Sequence, residues 1–350
     1  CGHRFWIARD ESLLMNSYFS LPRSRSSLRP GFRTPAKQGG FSQSGFSIVE
    51  LMIAVALGII LSWAILDVTL NSSRTSRQVE LTSEMVENGR YLTTLLRSEL
   101  QLAGFFGRLE NYSSGATAQP DKCTGISTAN LINGMTFPLW GADDVSAGTT
   151  TCNGDVLLTG SDVLLIRRAN TNAVNSTAGL DNAQHYLQET ITASVLDTGA
   201  NSGNFILTEA DGSVANIREY HQAIYYVNDN NEFNRLNLIN GAYAVERLVE
   251  GVDDFQLIYG IDRSGDGIAN ADGGNAAYVE LPSSAAEWEN VVSVKVFLLL
   301  SSTSNAPGLN DPKTYAYADK AGITFSDSKK RRLFSTVARL TNVSIKRAGL

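Results

Sequence analysis

Histidine, cysteine and proline are scarce in these 350 residues: three, three and eight. His3 lies in the N-terminal stretch, so only His185 and His221 remain for the body, at no metal-ligand spacing. Phosphate-cradling glycine loops and serine nucleophile elbows are absent as well. Carboxylates are plentiful, but none falls in a pattern that pairs it with a base or nucleophile, and enzyme activity is not expected. A surplus of positive charge is missing: the formal net charge is −6, which argues against general affinity for nucleic-acid phosphates. Proline is absent from Phe46 to Tyr112, leaving nothing to break a long helix there.

Charge is unevenly placed. Residues 1–45 carry Arg4, Arg9, Arg23, Arg25, Arg29, Arg33 and Lys37 against Asp10 and Glu11, a balance of +5, leaving −11 for the rest. Cys, not Met, stands first, and Met15 is the only methionine before Met52. Residues 1–45 are therefore expected to be a basic leader together with over-extended sequence, removed from the mature chain. Cys123 and Cys152, flanked by turn-forming residues in the polar body, fit one disulfide in an oxidising space.

Residues 46–66 read FSIVELMIAVALGIILSWAIL, with Glu50 as the one charge. The run matches the ~20 residues that cross a bilayer as a helix. Arginines and a lysine precede it, whereas Arg74 and Arg77 beyond it are soon joined by Glu80, Glu84 and Glu87, which orients the N-terminus to the cytoplasm. A secretory signal would be cut after its apolar region, at small residues. Here the small residue, Gly45, precedes it, and cutting there keeps the apolar helix as the new N-terminus. Beyond Leu70, Leu81, Met85, Leu92, Leu96 and Leu100 recur at helical spacing among charged residues. One helix is expected over 46–106, membrane-spanning over 46–66 and amphipathic thereafter, with Gly58 and Gly89 as weak points.

Downstream, β-rich runs alternate with Asn, Asp, Gly and Ser. Strands are expected at Val163–Arg168, Gln188–Leu196, Asn204–Thr208, Ala223–Val227, Phe233–Ile239, Phe255–Tyr259, Val291–Leu300 and Leu333–Ile345, with Asn228–Asn231 as a hairpin turn. Pro307, Gly308 and Pro312 mark a long loop. The fold class is α+β: a long helix on one face of mostly antiparallel sheet, with residues 107–350 as the globular domain and a disulfide-tethered region near 107–155.

The run Ser44-Gly45-Phe46-Ser47-Ile48-Val49-Glu50-Leu51 resembles the processing site of type IV prepilins. That resemblance implies a type IV pilin-like fold and a prepilin peptidase that cuts between Gly45 and Phe46 and methylates Phe46. It also makes Glu50 the acid that guides subunit assembly. An ionised carboxylate at a bilayer centre costs ~2.5–3.5 kcal/mol on insertion scales. Near the helix end a bland interfacial acid is the other reading. In a filament, Glu50 would meet the Phe46 amine of a neighbour. The body resembles the PilW subfamily at Glu87-Asn88-Gly89-Arg90-Tyr91, Ala103-Gly104-Phe105-Phe106-Gly107, Ser161-Asp162-Val163-Leu164, Leu248-Val249-Glu250-Gly251-Val252, Tyr259-Gly260-Ile261-Asp262 and Arg331-Arg332-Leu333-Phe334-Ser335-Thr336-Val337, and departs from it at Arg339-Leu340-Thr341-Asn342.

The resemblance implies a minor pilin that helps initiate pilus assembly. Its partners would be other minor pilins, the major pilin, the inner-membrane assembly platform and membrane lipid. It would start as a single-pass inner-membrane protein with a periplasmic body and end in the filament. A type II secretion pseudopilin, a tip adhesin or DNA-uptake subunit, and a plain bitopic membrane protein are the alternatives. No cofactor is required. One loop, Asp262-Arg263-Ser264-Gly265-Asp266-Gly267, starts as a calcium loop does, with Asp262, Ser264, Asp266, the Ile268 carbonyl and Asn270 as ligands. Gly273 stands where the bidentate Glu belongs, and a solvated Asp/Gly hairpin is the competing reading.

Overall fold

A computed structural model describes residues 45–349, except 113–114, 121–122, 124–125 and 307–310. Residues 1–44 of the expected leader and the Pro307–Gly308 part of the expected loop lie outside the described residues. Helix α1 spans Ile48–Leu102 without interruption. Its large apolar residues are exposed from Phe46 to Leu70, and this segment is long and apolar enough to cross a membrane. The buried stripe begins later, at Leu81, Met85, Gly89, Leu92, Leu96 and Leu100, stepping three or four residues at a time along one face. Leu92, Leu96 and Leu100 are fully buried, each worth roughly 1.5–3 kcal/mol of burial. The helix stops where Gly104 turns to φ +73, a conformation that favours glycine, and its N–H bonds Arg167 O at 3.0 Å.

Among the described residues, thirteen strands and three short α-helices follow. Helix α2 (Thr128–Met135) leads into strands β1 (Leu139–Ala142), β2 (Val163–Ala169), β3 (His185–Glu189), β4 (Ser194–Thr198), β5 (Asn216–Val227), β6 (Glu232–Ile239) and β7 (Ala242–Glu250). Next come β8 (Val252–Ile261), β9 (Tyr278–Val279), helix α3 (Ala285–Glu289), β10 (Val291–Ser301), β11 (Thr314–Tyr317), β12 (Lys320–Thr324), β13 (Arg331–Arg339) and helix α4 (Thr341–Arg347). Strands β1–β7 make one sheet, with β5 as its spine: β2 pairs along one edge, and β6 and β3 along the other. A second sheet has the order β13-β10-β8-β9, and β11 and β12 form a separate hairpin. Every ladder is antiparallel.

The α1 stripe shares one core with Leu164 and Ile166 of β2, Tyr225 of β5, Phe255 and Leu257 of β8, and Val294, Val296 and Leu298 of β10. Asp162 fastens the two sheets to each other just before β2. Its N–H donates to Phe255 O (2.8 Å), and its carboxylate accepts from Leu257 N–H (2.7 Å) and Asp144 N–H (3.1 Å). The side chain thus takes the place of a strand partner for β8.

The expected α+β arrangement is present, with local differences. Gln188–Leu196 is two strands around a turn in which Thr190 and Ala193 bond each other; the β-branched tip reads as strand, but Ile191 is exposed there. Asn204–Thr208 forms no strand: a 3-10 turn ends at Asn204, and Thr208 makes one isolated bridge to Val214. Leu333–Ile345 divides into β13 and α4, because Leu340 bonds back to Val292 O and the chain then coils to bury Val343 and Ser344. The stretch containing Pro312 carries the β11–β12 hairpin. Strand β7 was also unexpected, being an edge strand with mostly exposed side chains and so no strong hydrophobic alternation.

Candidate functional site

The first turn of α1 is closed by two reciprocal hydrogen bonds. Ser47 precedes the first helical residue; its Oγ accepts from Val49 N–H (3.3 Å), and its own N–H donates to Glu50 Oε2 (3.2 Å). Leu51 N–H donates to Ser47 O (3.1 Å), the first bond of the helical ladder. This is a capping box, in which Ser and the acid three residues later each satisfy one of the four donors a helix start leaves open. Gly45 and Phe46 lie immediately before it, outside the helix, and Phe46 is 89% exposed. The structure therefore brings the expected cleavage junction, Gly45–Phe46, and the expected assembly acid, Glu50, to one helix end. The Ser-x-x-Glu pattern at 47–50 was the sequence signal for the cap, overlooked because Glu50 already had a role.

Cys123 and Cys152 form the disulfide expected of them, joining the stretch after α1 to the loop before β2. Arg167 holds the same region from beneath. It is fully buried, and it donates from Nε to Gln222 Oε1 (2.6 Å) and from Nη1 to Phe137 O (2.9 Å). Burial pushes its pKa down.

The loop proposed for calcium is drawn around Asp262. Its side chain is fully buried and accepts from the N–H groups of Ser264 (3.1 Å), Gly265 (2.7 Å) and Gly267 (2.9 Å). It also accepts from Arg347 Nε at 3.0 Å, and Arg347 Nη2 reaches Asp262 O at 3.1 Å. These donors hold the Asp262 carboxyl below its ordinary pKa against the opposing effect of burial. Asp266 accepts from Ile268 N–H, while Asn270 bonds Arg263 N–H and Ser264 Oγ. Positive charge at this carboxylate is already supplied by the guanidinium of Arg347, and oxygens of Asp262, Ser264, Asp266 and Asn270 are engaged inside the loop.

Another carboxylate group, Asp143, Asp144 and Asp319, has its oxygens within 4.8 Å of one another. Lys320 pairs with both Asp144 and Asp319 there. The two body histidines serve in sheet edges and faces: His185 opens β3 opposite Thr198, and His221 lies on β5 opposite Arg168, 3.8 Å from Glu219.

Comparison with known proteins bears on the helix start and on the second half of the body. Residues 37–66 match the family model described as the prokaryotic N-terminal methylation motif. Residues 224–342 match the model described as Type IV Pilus-assembly protein W, or PilW. That second match runs from within β5 to the start of α4 and includes all of β8, β10 and β13. No curated protein matches the chain. Among solved structures, a type IV-like pilin from Thermus thermophilus is similar at 15% identity and a TM-score of 0.33, covering 74% of this chain and 96% of that one. The chain is thus similar at the start of its apolar helix to proteins with a prepilin-type methylation motif, and over its second sheet to the PilW pilus-assembly proteins.

Proposed function

We propose that the protein is a minor pilin that helps initiate assembly of a type IV pilus and is then built into the filament at or near its tip. One observation supports this reading above the others: Gly45–Phe46 stands directly before a 55-residue helix whose first turn holds Glu50 and whose first part has only exposed apolar side chains. Such a start has one economical use. Cleavage after Gly45 by a prepilin peptidase gives Phe46 a cationic amine, and the apolar helix anchors the chain in the membrane with the body in the periplasm. Transfer into a filament exchanges lipid for neighbouring helices, and Glu50 then pairs with the Phe46 amine of an adjacent subunit. Low effective dielectric makes that attraction a register signal more than a net source of stability. The PilW similarity of residues 224–342 supports an assembly role beside other pilins, and the chemistry required of the chain is structural.

N-terminal sequencing of the protein recovered from sheared pili tests this reading. The expected result is a chain beginning at N-methylated Phe46. Recovery of the protein in the membrane alone, with residues 1–45 still attached, overturns it.

A further inference from the structure

We infer that Ser47 is a positioning residue for Glu50, holding its carboxylate on the helix end until a neighbour's amine takes it over. The inference rests on the reading of Glu50 as the assembly acid. It invokes no bound ligand, only the reciprocal bonds of the first turn: Ser47 N–H to Glu50 Oε2 at 3.2 Å and Val49 N–H to Ser47 Oγ at 3.3 Å.

The first donors of a helix have no partner within it, and in hydrocarbon there is no water to supply one. An unsatisfied backbone group there costs several kcal/mol. The cap removes two such groups and at the same time gives the Glu50 carboxylate a partner of its own. Glu50 is therefore not a loose charge in the waiting subunit. Its Oε2 is instead held at Ser47 N–H, on the helix end.

Cleavage then decides what can displace the cap. Before it, the nitrogen at residue 46 is an amide and competes with Ser47 N–H on equal terms. Afterwards it is an ammonium, whose full charge adds Coulomb attraction that an amide lacks. A processed neighbour can draw Glu50 from its cap, and an unprocessed one has no such advantage. Ser47 supports this exchange by keeping Val49 N–H satisfied after the carboxylate has left.

The test uses the processed, full-length chain in detergent micelles, with amide exchange at Ser47 and Val49 read by NMR, and filament incorporation measured in parallel. Ser47→Ala is expected to speed exchange at Val49 about fivefold, the loss typical of a removed cap, and Ser47→Thr to restore it. Glu50→Ala is expected to speed exchange at Ser47. Glu50→Gln leaves Ser47 protected, because a carboxamide oxygen still accepts, yet enters filaments as poorly as Glu50→Ala because the charge is gone. Incorporation of Ser47→Ala is reduced and rescued by Ser47→Thr. Unchanged exchange at Val49 in Ser47→Ala, or at Ser47 in Glu50→Ala, overturns the inference. Normal incorporation of Glu50→Ala with the exchange pattern intact overturns instead the assembly reading on which it rests.

Discussion

The ring of Phe334 on β13 lies directly against the backbone of Gly89 in α1: a methyl group at residue 89 would stand 2.5 Å from Phe334 Cε2 and Cζ. Gly89 falls between Met85 and Leu92 in the buried stripe, where a heptad-like pattern calls for a side chain. The missing side chain comes from the other element. Phe334 fills the gap, and the glycine that looked like a weak point is where a ring from the sheet seats on the helix.

Gly89→Ala should therefore destabilise the protein although alanine is the better helix former. The helix gains about 1 kcal/mol from the change, and overpacking costs about 1–3 kcal/mol. The expected net loss is about 1 kcal/mol, read as a lower denaturation midpoint. In a Phe334→Ala background the clash is gone, and Gly89→Ala should become neutral or stabilising. A double-mutant cycle with no coupling between the two positions would contradict the contact.

Asp162 gives the fold a pH dependence of definite sign. Burial pushes its carboxyl up to about 8, while its ordinary value, and that of the unfolded chain, is 3.8. Between these values the folded state keeps a proton that the unfolded state has released. Stability from this group therefore falls as pH rises from about 4 to about 8 and is constant outside that window. Asp162→Asn should flatten this dependence in denaturant titrations at pH 5 and pH 8. Its single acceptor oxygen cannot serve both Asp144 and Leu257 N–H, so the variant should also lose about 1–3 kcal/mol.

Arg347 and calcium would compete for one carboxylate. Titration of the wild-type chain with calcium in a calorimeter should give no binding heat, because a cation entering at Asp262 must first displace the guanidinium. Arg347→Gln leaves the buried Asp262 carboxylate without its counter-charge and should cost about 1–3 kcal/mol, short of the full penalty for a broken buried pair because Arg347 is part exposed. Calcium binding by the wild type would instead favour the ion-loop reading of Asp262, Ser264, Asp266, Ile268 and Asn270.

Glu50→Ala should insert in the membrane and be cut at Gly45–Phe46, since neither step uses the carboxylate. Its share in sheared pili should fall about tenfold, the effect of roughly 1.4 kcal/mol. Quantitative immunoblots of membrane and filament fractions check this, and equal shares for variant and wild type would remove Glu50 from the assembly step.

Reading the sequence worked where one local pattern dominates. The span and reach of α1 followed from an unbroken absence of proline and the spacing of Leu81 to Leu100. Strands β2, β5, β6, β8 and β10 each carry apolar residues buried in the core. The partners of Cys123 and Cys152 followed from there being two body cysteines. It failed where exposure or a distant partner decides. Ile191 reads as strand and sits at a turn, β7 is too exposed to show alternation, and α4 coils only because Leu340 is captured by Val292 O.

By itself the sequence determined an apolar helix that begins beside the expected cleavage junction, because hydrophobic length, the lone acid and the Ser-x-x-Glu cap are all encoded within a few turns of chain. Only the tertiary structure decided that Gly89 receives Phe334, that Asp162 joins two sheets, and that Arg347 meets Asp262. Each of these pairs lies far apart along the chain, at separations of 245, 95 and 85 residues for Gly89–Phe334, Asp162–Leu257 and Asp262–Arg347. Whether a gap is a defect or a socket, and whether a carboxylate faces an ion or a guanidinium, depends on what folding delivers to it from elsewhere.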